Sequence, residues 1–107
     1  MVEQSNLISD AFQTFMTEAP DHARAWGMLV QGLAEATALD RKTAALAYLA
    51  VLAALRLESG IPFHVQSARQ AGASREEVIS AILVGLPAAG HIVTQVLPTA
   101  ITVYDSE

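Results

Sequence analysis

Apolar positions recur along this chain with helical spacing almost from end to end, and nowhere with the strict alternation of a half-buried strand. Ile8, Ala11, Phe12, Phe15 and Met16 form a first stripe, ended near Pro20. A second helix is expected to open at Pro20–Asp21 and to bury Trp26, Leu29, Val30, Leu33 and Ala36. Leu39–Asp40 reads as a turn, with Asp40 as N-cap of a third helix over about Arg41–Glu58. That helix has no polar face: Leu46, Tyr48, Leu49, Val51, Leu52 and Leu55 point in different directions. Other helices must enclose it, in the domain or in an assembly.

The second half is punctuated more sharply. Ser59–Gly60 breaks the third helix, and Pro62 suits the first turn of a fourth, where its missing N–H costs nothing. This helix runs to about Ala71, with Gly72 stopping it from the C′ position. Ser74 caps a fifth helix, and Glu77 completes a capping box. Gly85–Pro87 ends or kinks it, and a last helical stretch covers about Gly90 to Tyr104, bent or split at Pro98. The pattern predicts one all-α domain over 1–107, a bundle of about six helices without an interdomain linker.

Composition adds a constraint that the periodicity does not. Some 52% of the 107 residues are hydrophobic and only 16% charged, against roughly 25% charged in a typical soluble domain. A domain this small cannot hide so much apolar sequence by itself, so the chain is expected to form a homo-oligomer. A membrane is the other outlet. Val78 to Tyr104 contains no Asp, Glu, Lys or Arg, but Gly85, Pro87, Gly90, His91, Gln95 and Pro98 interrupt it. Thr43–Leu55 is bracketed by Lys42 and Arg56 and is shorter than the roughly 20 residues of a span. The start, MVEQSN, lacks the positive and apolar regions of a secretory signal. The expectation is a soluble cytoplasmic protein that does not engage a membrane. A net charge of −5 with six Lys and Arg argues against nucleic acid as a partner. With no cysteine, thiol-based redox chemistry is excluded.

His64 is the first candidate for chemistry. Ser67, Ala68 and Ala71 share its helical face, which turns the ring inward across small residues that leave room beside it. A neutral imidazole near physiological pH moves a proton in either direction, which suits a general acid/base. The competing reading is a buried structural histidine, bonded to a backbone carbonyl or carboxylate. Glu58 and Ser59 precede this helix and are placed to orient the ring, though Glu58 reads equally well as a solvated helix end. His91 either faces His64 across the bundle or serves as a polar residue at a subunit seam; with Ser67 it is assigned to substrate binding. His22 beside Asp21 reads as a surface residue. No metal-ligand spacing occurs and no cofactor is called for.

From Lys42–Leu57 through His64-x-x-x-Ala68-x-x-x-Gly72-Ala73-Ser74-x-Glu76-Glu77-Val78 to Gly90, the chain resembles the carboxymuconolactone decarboxylase family, which includes the alkylhydroperoxidase D-like proteins. The resemblance covers roughly Leu39 to Ala100. It implies an all-α fold whose members assemble as trimers or hexamers, with helices of neighbouring subunits packed together. In the family's peroxidase branch a Glu, a Cys-x-x-Cys and a His form the centre. With that His placed on His64, the Glu falls on Ala45 and the two cysteines on Leu57 and Gly60. All three are lost, so thiol peroxidase activity is ruled out. The resemblance leaves a lyase or decarboxylase-type enzyme using His64 on a small organic acid or lactone, with Glu58 in the catalytic group. The alternative is a non-catalytic, oligomeric binding or scaffold member.

Overall fold

The computed structural model describes residues 7–106; the leader-like comparison made for MVEQSN concerns residues that, with Glu107, lie outside them. Among the described residues the regular structure is entirely helical. Helix α1 (Asp10–Glu18) starts where the Ser9 hydroxyl accepts a bond from the Phe12 amide at 3.2 Å. Helix α2 (Pro20–Ala36) opens on Pro20, as the sequence predicts. Helix α3 (Arg41–Ala54) is capped by Asp40, whose carboxylate accepts from the Thr43 amide at 2.7 Å. That backbone bond holds the Asp40 carboxyl below its ordinary value.

Helix α3 ends at Ala54, short of the expected Glu58. The reason is a left-handed residue. Arg56 has φ 57°, which lets Arg56 N–H bond Ala53 O at 3.2 Å and Leu57 N–H bond Leu52 O at 2.9 Å. This is the Schellman closure. The same motif ends α4 (Ile61–Gln70), with Gly72 at φ 99°, Gly72 N–H on Arg69 O at 3.0 Å and Ala73 N–H on Ala68 O at 3.0 Å. Glycine takes this conformation freely, whereas an L side chain loses about 1–2 kcal/mol there. Arg56→Gly is therefore expected to stabilise the fold by about 0.5–1 kcal/mol after the entropy of a flexible unfolded glycine is subtracted. An unchanged or lower urea midpoint would contradict the strain.

Helix α5 (Arg75–Leu83) carries the predicted capping box: Glu77 N–H donates to Ser74 Oγ at 3.0 Å, and Ser74 N–H to Glu77 Oε1 at 2.8 Å. The other Glu77 oxygen accepts from Lys42 Nζ at 3.0 Å, tying the starts of α3 and α5 together. The bond from the Ser74 backbone, then Lys42, holds the Glu77 carboxyl below its ordinary value. Ser74→Ala should cost about 1 kcal/mol. A thermal midpoint equal to wild type would show that the cap contributes nothing.

Beyond α5 the chain forms a short α6 (Leu86–Ala89), a 3₁₀ stretch over Gly90–Val96 and α7 (Leu97–Asp105). The last helix, expected to begin at Gly90, is regular only from Leu97, with Pro98 in its first turn. The apolar run Arg75–Asp105 would be long enough to cross a membrane if straight. Instead it doubles back, so that α5 and α7 pack on each other. The core lies where α3, α4, α5, the 3₁₀ stretch and α7 meet. Leu49, Leu52, Ile61, Val65, Val78, Ile82, Val93 and Val96 fill it.

Helices α1 and α2 stand apart from that core. They pack on each other, with Phe12 edge-on to Trp26 at 5.1 Å between centroids, and neither contains a buried residue. The expected burial of Trp26, Leu29, Val30, Leu33 and Ala36 is not found within the chain: all five are exposed, Leu33 by 60%. The stripe predicts the helix correctly, but among the described residues only α1 packs closely on it, and the five side chains stay exposed. Helix α3 is likewise enclosed on one side only, leaving Tyr48, Val51 and Leu55 exposed.

Candidate functional site

Helix α4 places His64 one turn past the 3₁₀ turn Glu58–Gly60. This turn crosses close over α3. A Cβ on Gly60 would lie 3.4 Å from Leu52 Cδ2 and 4.0 Å from His64 Cδ2. The close passage brings the imidazole against Tyr48 of α3, with ring centroids 4.4 Å apart and planes tilted by 44°. Phe63 meets the other side edge-on, at 5.2 Å and 77°. The ring is therefore flanked by aromatic surface rather than by the small residues expected from its own helix.

His64 is half-buried, and burial pushes its pKa below the ordinary 6.5 because water no longer solvates the cation fully. Among the described residues, neither ring nitrogen has a hydrogen-bond partner, and nor has the Tyr48 hydroxyl. A structural histidine would hold such a partner. Here a neutral imidazole keeps one donor and one acceptor available at physiological pH.

No hydrogen bond joins the other sequence candidates to this ring among the described residues. Ser67 lies one turn further along α4, half-buried, its carbonyl accepting from Ala71 N–H at 3.0 Å. Glu58 is exposed in the 3₁₀ turn, without a hydrogen bond to His64. His91 is exposed in the Gly90–Val96 stretch, its carbonyl accepting from Thr94 Oγ1 at 2.8 Å, and no hydrogen bond joins it to His64. His22 is exposed in the first turn of α2. Among the described residues, no group of three or more His, Asp or Glu is placed to hold a metal ion.

Tyr48 is the member that the sequence reading missed. It stands among the apolar residues of a helix without a polar face, and no local motif links it to a histidine on the next helix. The Gly60 crossing joins them. Two surface hollows lie elsewhere: one of about 560 Å³ between α3 and α5, and one of about 260 Å³ beside Pro98 and Thr102. His64 lines neither. Its ring lies instead against Tyr48, which is exposed on α3 together with Val51 and Leu55 at helical spacing.

No curated protein and no solved structure matches the chain. The family model of carboxymuconolactone decarboxylases matches residues 20–98. That span runs from the first residue of α2 to the first turn of α7 and takes in Tyr48, the Gly60 crossing, His64 and the capping box. The chain belongs to the carboxymuconolactone decarboxylase family.

Proposed function

We propose that this protein is a soluble, cytoplasmic homo-oligomer, trimeric or hexameric, in which His64 acts as acid/base on a small organic acid or lactone. The observation that carries this reading is the half-buried imidazole lying against the Tyr48 ring, with no hydrogen bond from either nitrogen among the described residues. In a decarboxylation, departing CO₂ leaves an electron pair on the carbon beside a carbonyl. An imidazole in contact with that carbon takes a proton from solvent, delivers it to the carbon as the imidazolium and returns to its neutral form. Tyr48 and Phe63 shield part of the ring, and the Tyr48 hydroxyl is free to hold the carbonyl oxygen. Peroxide reduction through a thiol has no place here, since the sequence contains no cysteine.

A second reading is a binding member without turnover. It is favoured by the position of Glu58, which leaves His64 without a carboxylate to orient it. Incubation of the protein with a panel of small lactones and lactone-bearing or 3-oxo carboxylic acids, followed by proton NMR, separates the two. The enzyme reading expects loss of CO₂ or ring opening for at least one compound with wild type and not with His64→Gln. Ligand-induced shifts without turnover would support the binding reading instead. Turnover that survives His64→Gln would remove His64 from the chemistry.

A further inference from the structure

We infer that the groove between α3 and α5 receives helix α2 of a second copy of this chain. The inference rests on the homo-oligomer reading above and adds to it which surfaces meet. The chain exposes 6867 Å², whereas a compact monomer of this mass exposes about 5,700 Å². Its radius of gyration is 14.1 Å, against about 13 Å for a compact domain of this length. The excess surface is on the order of 1,000 Å², which matches the roughly 800 Å² that one partner contributes to a stable interface.

Helix α2 has the shape of an occupant. Ala25, Leu29, Gly32 and Ala36 fall along one line of it, with Leu33 beside them. Gly32 is the informative member. It sits inside a helix without a left-handed φ, where glycine is a weaker helix former than alanine. No neighbour among the described residues requires the absence of a side chain, because a Cβ built there meets no atom within 4 Å. A glycine and two alanines flanking Leu29 let a second backbone come close.

The groove has the complementary form. It is lined by Leu46, Ala47 and Ala50 of α3 and by Ala81 and the C-cap Val84 of α5, with the paired Lys42 and Glu77 and the polar Thr43, Glu76 and Ser80 among them. The alanines admit a helix at short range, in a hollow of about 560 Å³. Among the described residues, α2 packs closely on α1 alone, and no helix of the chain closes the groove. Only residues 37–40 join α2 to α3, and α2 forms no close pair with α3 or α5, so the helix that fills the groove comes from another copy. An occupant over Ala47 also lies beside Val51 and Tyr48, and would cover the Tyr48 ring against which His64 lies.

The absence of native cysteine permits a direct test. Single-cysteine variants of full-length protein are made on the helix (Leu29→Cys, Leu33→Cys) and in the groove (Ala47→Cys, Val84→Cys). Each helix variant is mixed with each groove variant and oxidised. The expected result is a disulfide-linked dimer in at least one helix–groove mixture, beyond what either variant forms alone. Gly32→Leu is expected to shift the assembly to monomer mass in light scattering. It raises helix propensity, so misfolding of α2 does not account for the loss. No cross-link in any mixture, with Gly32→Leu still assembled, would overturn the groove placement and leave the oligomer standing. A wild-type monomer at micromolar concentration would overturn both.

Discussion

Leu49→Ala is expected to destabilise the protein by about 2–5 kcal/mol, a large share of the roughly 5–15 kcal/mol that holds a small domain together. Leu49 has no exposed surface and lies on the side of α3 that faces α4, α5 and the 3₁₀ stretch. Several neighbours in this core are alanines, namely Ala53, Ala68 and Ala100. They cannot swing into the space left by a lost isobutyl group, which places the cost toward the upper end of that range. Leu33→Ala on α2 removes the same atoms from an exposed site, and in the isolated chain should cost well under 1 kcal/mol. Urea denaturation of both variants measures the contrast. Equal losses in chains that are monomeric would mean that α2 belongs to the intramolecular core.

His64→Gln should lower turnover by about 10²–10⁴-fold while leaving the fold and assembly intact. The stability effect is expected to stay below about 1 kcal/mol, because the ring is half-exposed and no hydrogen bond within the described residues is lost with it. The substitution should also change the pH dependence of stability. With the folded pKa depressed by burial, the unfolded chain binds more protons as pH falls past 6.5. His64 therefore favours the folded state fully above that value, and the advantage is lost as pH falls through it toward the folded pKa. Asp40 and Glu77, whose folded pKa values are also depressed, lose their contributions only below their ordinary values of 3.8 and 4.5. Between pH 7 and 5 the wild-type slope should flatten in His64→Gln. A slope unchanged by the substitution would place its origin elsewhere.

Much of the fold was legible because its punctuation is local. Asp40, Gly72 and the Ser74–Glu77 box each act within a few residues, through bonds the sequence displays directly. Arg56 was not legible as a stop, since a left-handed arginine carries no composition signal and Gly60 nearby offered a more familiar one. The burial of α2 was misjudged for a physical reason: an apolar stripe reports that a face must be covered, but not by which molecule. The same limit applies to the site. His64 could be singled out from its helix, whereas its contact with Tyr48 depends on how helices cross.

His64 lies against Tyr48 without a hydrogen-bond partner among the described residues, half-buried and able to exchange a proton. NMR titration of its ring protons in the assembled wild-type protein, assigned by comparison with His64→Gln, measures this. Reversible titration with an apparent pKa below 6.5 is expected. A titration shifted above that value would reveal a carboxylate partner and a structural ion pair. A ring that does not titrate while the protein stays folded would show it locked into backbone hydrogen bonds. Either result would contradict the acid/base role.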